Sequence, residues 1–158
     1  MRFTRLICLD HPYQIATLEQ CQLKLFRNEP SRISIVQRYN RTERLYCNIT
    51  IFKKAVNYRQ ILPTQVYDAC RFLEDKMELD PITSYIHAAI KQYAPQLFRP
   101  CPIEGLYDAS DLRIPENLTV PIFPPGDYYS EWITYNEKNQ IGLRVQFYSS
   151  VRQSGIFG

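Results

Sequence analysis

Histidine is scarce in this chain: His11 and His87 are the two among 158 residues. Acid–base chemistry near neutral pH draws on histidine first, and neither is placed for it. His87 falls on the flank of an amphipathic stretch, with no second ligand four residues away and no nucleophile motif beside it, and reads as a surface residue. His11 lies between Asp10 and Pro12 and reads as turn chemistry. There is no G-x-S-x-G, Walker-type or G-x-G-x-x-G run, so nothing points to an enzyme or to a nucleotide cofactor. The acidic group Glu74, Asp75, Glu78 and Asp80 lacks the alternating aspartates and closing glutamate of a calcium loop, and reads as a solvated linker rather than a metal site.

Long apolar runs are missing too. The longest is a few residues, too short for a helix to cross a bilayer, and Leu6-Ile7-Cys8-Leu9 is too short for the core of a leader peptide. A secreted form would therefore carry its leader upstream of Met1. The 19 basic and 16 acidic residues give a net charge of +3 without any charged block, which excludes a nucleic-acid-binding arm. Glycine is sparse, at five residues.

Proline (11) and aromatic residues (13 %) are plentiful, a balance suited to extended segments and turns. The length fits one domain, residues 1–158, with a single sizeable core. Between Arg32 and Phe52 the pattern alternates: Ile33 and Ile35, then Leu45, Cys47, Ile49 and Ile51 on one face, with Tyr46, Asn48 and Thr50 on the other. Two strands joined through Tyr39 to Glu43 are expected, with Cys47 inward and Asn48 outward. An inward odd cysteine behaves as a small buried hydrophobe. The clearest hairpin joins Tyr128–Tyr135 to Ile141–Val151 across the polar stretch 136–140. The prolines of residues 121–125 forbid a central strand before it and predict an edge followed by a corner.

One helix is well marked. Asp80-Pro81 supplies a cap and a first-turn proline, Pro95 stops it, and Ile82, Ile86, Ala89, Ile90, Tyr93 and Leu97 gather on one face opposite Lys91. A shorter helix is expected from Pro63 to Leu73, capped by Thr64, with Val66, Tyr67, Cys70 and Leu73 on its inner side.

Two chemistries point to the secretory route. Asn40-Arg41-Thr42, Asn48-Ile49-Thr50 and Asn117-Leu118-Thr119 are N-glycosylation acceptors, where chance would supply about one. Cys8, Cys21, Cys47, Cys70 and Cys101 form no C-x-x-C pair, and their number suits an oxidising compartment. Cys70 and Cys101 bracket the long helix, and a bridge between them would stabilise the fold by roughly 3 to 4 kcal/mol on the chain-entropy model. Cys8 and Cys21 bracket a shorter segment, worth roughly 3 kcal/mol. Four paired cysteines allow three connectivities, and the spacing alone leaves the choice open.

Six short pieces occur in a recognisable order: Cys21-Gln22-Leu23; Phe52-Lys53-Lys54; Tyr58-Arg59 with Leu62; Asp68-Ala69-Cys70-Arg71-Phe72-Leu73; Cys101-Pro102 with Gly105; and Pro125-Gly126-Asp127-Tyr128. Together they cover nearly the whole chain. In them the sequence resembles the insect family of small secreted proteins of unknown function that contains the CheB chemosensory proteins, a family related to the lipid-recognition (ML) fold of ganglioside-activator type. The resemblance implies a mainly β fold: a two-sheet, immunoglobulin-like β-sandwich, opening as a cup, with one or two helices near the mouth. It also implies the pairings Cys8 with Cys21 and Cys70 with Cys101. The sequence departs from the family in the extra Cys47 and in Leu97-Phe98-Arg99-Pro100, where relatives carry a polar asparagine and histidine stretch, so the mouth is expected to be more apolar here.

The function this implies is that of a secreted, monomeric protein, not an enzyme, that binds or presents a hydrophobic ligand in an apolar cavity between the two sheets: a lipid, cuticular hydrocarbon or pheromone-like molecule. Candidate cavity residues are Phe72, Ile86, Ile90, Tyr93, Leu97, Phe98, Phe123, Trp132 and Phe147. For any one of them, a place in an ordinary core is the plainer reading. The alternative is an extracellular interaction module that modulates a membrane receptor or channel and holds no ligand.

Overall fold

A computed structural model describes residues 1–76, 80–116 and 123–152. The elements run β1 (Arg2–Cys8), β2 (Ala16–Lys24), β3 (Arg32–Thr42), β4 (Tyr46–Lys54), β5 (Tyr58–Gln60), β6 (Gln65–Asp68), α1 (Ala69–Leu73), α2 (Pro81–Tyr93), a 3-10 turn (Pro95–Leu97), β7 (Ile103–Arg113), β8 (Gly126–Tyr135) and β9 (Ile141–Val151). They form two antiparallel sheets. The large one has the order β1-β9-β8-β4, with β5 and β6 both on the far edge of β4, and the small one has the order β2-β3-β7. The mainly β, two-sheet architecture with two helices is the one the sequence implied.

Alternation assigns the faces. Along β4, Ile49 and Ile51 are buried and Cys47 packs beside them, while Asn48 and Thr50 lie on the opposite side. Strands β3 and β4 do not pair with each other. The chain leaves the small sheet at Thr42, turns through Glu43–Leu45, and enters the large one. The β8–β9 hairpin forms as expected, and the side chain of Asn136 closes its turn by accepting from the amides of Lys138 (3.0 Å) and Gln140 (2.9 Å). In the stretch 121–125, Pro121 and Ile122 lie outside the described residues.

The helix expected over Pro63–Leu73 is a strand first. Gln65–Asp68 pairs with Tyr46–Ile49 of β4, and the helix begins at Ala69, capped by Asp68, whose carboxylate accepts from the Arg71 amide at 3.2 Å. Val66 and Tyr67 suit a pleated edge, and the open edge of β4 offers their backbone partners that a helix turn would leave unused. Thr64 caps nothing; its hydroxyl lies 3.0 Å from that of Thr50. Helix α2 begins and ends where the sequence places it, between Asp80 and Pro95.

Two disulfides tie the layers. Cys8–Cys21 joins β1 of the large sheet to β2 of the small one, and Cys70–Cys101 joins α1 to the entrance of β7, leaving Cys47 free. Between the sheets lies a buried polar bridge. Gln37 Nε2 donates to the Gly142 carbonyl (2.6 Å), and the Tyr39 hydroxyl donates to Gln37 Oε1 (3.2 Å) and lies 3.1 Å from Thr134 Oγ1. Burial drives the Tyr39 hydroxyl far above the usual tyrosine range, so it stays protonated. Gly142 is required here for space: a Cβ would stand 2.8 Å from Tyr39 Cε1 and 2.9 Å from Thr134 Oγ1.

Gly142→Ala should therefore lower the unfolding free energy by about 1–3 kcal/mol. Tyr39→Phe, which strands the buried amide oxygen of Gln37, should cost a similar amount. Chemical denaturation with unchanged m-values checks both, and a Gly142→Ala protein as stable as the parent would contradict this account of the sheet contact.

Candidate functional site

The inner volume is divided into two apolar clusters. One joins Ile15, Ala16, Tyr39, Leu45, Cys70 and Ile103, at the end closed by the Cys70–Cys101 bridge. The other joins Ile49, Ile51, Tyr67, Tyr128 and Val151, with Leu62, Cys47, Phe123 and Trp132 packed against it. Beside the second cluster a cleft opens between β6 and the start of α2. Its volume is about 480 Å3, and its walls are Leu62, Gln65, Tyr67, Asp80, Pro81 and Ile82. That size lies within the range of small-molecule sites. Leu62 and Tyr67 belong both to the cleft wall and to the inner cluster, so these two side chains stand between the cleft and the inner face of the large sheet.

One side of this mouth is held rigidly by hydrogen bonds. The Asp80 carboxylate accepts from the amides of Ile82 and Thr83 (2.9 Å each) and from the Thr83 hydroxyl (2.7 Å). Thr83 has then spent its one proton, so the Tyr67 hydroxyl, 2.7 Å away, donates to it. This Tyr67–Thr83–Asp80 chain locks the first turn of α2 to β6. Thr83 is 1 % exposed, and it is the fully buried residue of α2. The apolar face of the helix, Ile82, Ile86, Ala89, Ile90 and Tyr93, remains half-buried rather than sealed.

None of the nine expected cavity residues lines this cleft, and they fall into three contact groups elsewhere. Phe72 and Phe98 stack at 6.1 Å with His87 set edge-on to both (4.7 and 5.2 Å), and Phe72 reaches Tyr67 at 6.5 Å. Ile86, Ile90, Tyr93 and Leu97 are the half-buried face of α2 and of the turn after it. Phe123 stacks on Tyr128 (5.4 Å), while Trp132 meets Phe147 edge to face (5.8 Å). Leu62, Tyr67 and Ile82 of the cleft wall were missed as site residues. Ile82 was visible on the helix stripe, but Tyr67 was assigned to a helix that is a strand, and nothing local marks Leu62.

His87 is not on the surface. Its side chain is 13 % exposed, and Nε2 lies 2.7 Å from Asp75, which also holds Lys91. The lysine ammonium, first, and His87 keep the Asp75 carboxyl below the usual range. The other acidic residues are used one at a time: Glu74 accepts from the Cys101 amide and Asp80 caps α2, while Glu78 lies outside the described residues. Among the described residues no His, Cys, Asp and Glu cluster could hold a metal ion. Asn40 is exposed at the end of β3. Asn48 faces outward, its side-chain oxygen accepting from the Tyr135 hydroxyl at 2.7 Å; Asn117 lies outside the described residues.

With the geometry in place, comparison with known proteins identifies the family. Residues 47–130, more than half of the chain, match the family described as "Protein of unknown function (DUF1091)", and the chain belongs to it. That stretch contains the cleft wall, α2 and the Cys70–Cys101 bridge. Among solved structures, a Niemann-Pick type C2 protein from the Japanese carpenter ant superposes with a TM-score of 0.41 at 9 % identity, covering 92 % of this chain and 99 % of that one. No curated protein matches the sequence.

Asp80→Ala should cost about 1 kcal/mol through loss of the helix cap. The Thr83 amide and hydroxyl hold the Asp80 carboxyl below its ordinary value of 3.8, so the cap is fully present above that value and is lost as pH falls through the lowered one. Thermal melts of parent and variant should thus converge in strong acid, and a constant gap down to pH 2 would refute the assignment. Burial pushes the Cys47 thiol up to about 12, so a disulfide-exchange reagent at pH 8 should leave the native protein unlabelled and count one thiol after unfolding.

Proposed function

We propose that this chain is a secreted carrier or presenter of a ligand with a hydrocarbon tail: a lipid, cuticular hydrocarbon or pheromone-like molecule. The tail would enter between β6 and α2 and run along the inner face of the large sheet. The observation that carries the proposal is the cleft of about 480 Å3, walled by Leu62, Gln65, Tyr67, Asp80, Pro81 and Ile82, of which Leu62 and Tyr67 also pack in the inner cluster. An amphipathic helix normally seals its apolar face in the core; here that face stays half-open beside the cleft. Each methylene moved from water to such a surface contributes about 0.8 kcal/mol, so a tail of modest length can reach micromolar affinity after ordering costs. The resemblance to the CheB-containing proteins and the two disulfides agree with an extracellular setting.

A second reading is favoured by the outer face of the large sheet. There Phe52, Tyr129 and Tyr148 stack in a row (4.4 and 5.2 Å) with Tyr58 set against them, all half-exposed. Tyrosine-rich surfaces of this kind anchor protein contacts, which suits a module acting on a receptor or channel.

Native mass spectrometry of protein from insect cells should find a bound hydrophobic mass that organic extraction removes. Stripped protein should then bind a fluorescent fatty acid, about tenfold more weakly after Leu62→Glu or Ile82→Glu. Protein that emerges empty and ignores the probe at about 100 µM would leave the outer-face reading standing instead.

A further inference from the structure

We propose that the free edge of the large sheet, from β4 through β6, is a docking surface for an anionic lipid bilayer. The proposal goes beyond ligand binding and does not depend on it. From Arg44 to Tyr67, between Glu43 and Asp68, the chain contains four cations and no aspartate or glutamate, the highest cation count of its acid-free stretches; residues 81–103 hold two cations and residues 138–158 three. Folding gathers these residues along one border. Lys54 pairs with Tyr58 across a tight turn, Ile61 continues the ladder by donating to the Ile51 carbonyl (3.1 Å), and β6 pairs with β4 beyond it.

The same border carries three exposed aliphatic side chains. Val56, at the tip of the β4–β5 turn, is 89 % exposed, Val66 63 % and Ile61 39 %. Lys54 and Arg59, both exposed, flank the tip, and the two lysines lean on rings: Lys54 lies 5.9 Å over Tyr58 and Lys53 5.9 Å over Tyr128, while Arg44, at the far end of the border, pairs with Asp68 (3.9 Å). An interface with another protein would centre on packed aromatic anchors, such as the row Phe52, Tyr129 and Tyr148 behind this border, and not on the ring-free tip Ala55–Val56–Asn57. Single aliphatic residues projecting beside the exposed Lys54 and Arg59, with a tyrosine just behind, match instead the headgroup region of a membrane. There aliphatic tips insert, tyrosine sits at the boundary and each lysine or arginine meets anionic lipid. The charge complementarity commits the surface to that occupant. Leu62 lies next to Ile61 and forms part of the cleft wall, so a docked molecule would hold its cleft beside the bilayer surface.

Co-sedimentation with vesicles tests this. Wild-type protein should bind phosphatidylcholine vesicles containing about 30 % phosphatidylserine, and release in about 1 M salt, where screening shortens to about 3 Å. Pure phosphatidylcholine should bind weakly. Val56→Asn should reduce partitioning about tenfold, and Lys54→Gln and Arg59→Gln about fivefold each. Lys138→Gln, in the turn at residues 136–140, should leave binding unchanged. Absence of binding to the anionic vesicles, or an equal loss from Lys138→Gln, overturns the proposal, the second because it would reduce the effect to net charge. Measuring bound ligand on the same samples separates the two ideas. Vesicle binding by ligand-free protein supports docking while counting against the cleft, and ligand-loaded protein that ignores vesicles overturns docking alone.

Discussion

Gln37 and Tyr39 point inward from the small sheet with polar atoms that water does not reach, and the large sheet meets them with the Gly142 carbonyl and the Thr134 hydroxyl. Apolar packing alone tolerates small slides of one sheet over another. A closed set of hydrogen bonds at this depth does not, because each bond left unmade costs about 1–3 kcal/mol. The position of β3 against the β8–β9 hairpin is thereby fixed at one point, and Gly142 allows the close approach by presenting no side chain.

From that point the sheets are held unequally. At the end near Cys70 and Cys101, the disulfide, α1 and the Ile15–Ile103 cluster close the interior. Along the other flank the large sheet extends past the small one through β4, β5 and β6, and its inner face there is covered by Leu62, Phe123 and the start of α2 rather than by a facing strand. Side chains and a single helix turn make a less complete cover than a sheet does. The cleft therefore arises at this flank, and it follows from the difference between a six-stranded and a three-stranded sheet rather than from any special pocket sequence.

The parts that were legible in the sequence are those whose signal is local. Alternation fixed the faces of β4, two runs around the polar stretch 136–140 marked the β8–β9 hairpin, and the Asp80-Pro81 cap fixed the start of α2. The disulfide pairing came from resemblance, not from spacing. Strands β1, β2 and β7 escaped because register shifts at Phe3/Arg5, Leu18/Gln20 and Ala109/Leu112 interrupt the alternation that would betray them. The segment Gln65–Asp68 was misread because Val66, Tyr67, Cys70 and Leu73 also fit a helical spacing, and the edge of β4 that settles the matter is a tertiary partner. His87 was misplaced for the same kind of reason: the helix period sets it on the flank, and Phe72 and Phe98, from the segments before and after α2, close over it.

The hydrogen-bonded chain at the mouth explains why the cleft can persist without being sealed. An apolar helix face left half-exposed favours collapse onto the nearest apolar surface, which here is Leu62 and Tyr67. Tyr67, Thr83 and Asp80 oppose that collapse, since moving α2 inward would break the 2.7 Å bonds that satisfy a buried tyrosine hydroxyl and a threonine that is 1 % exposed. The opposing terms are of the same order: about 1–3 kcal/mol for stranding the polar groups and about 1.5–3 kcal/mol for burying one further aliphatic side chain. Asp80 is therefore more than a helix cap. It anchors a strut that sets how far the first turn of α2 stands from β6, and so sets the width of the opening.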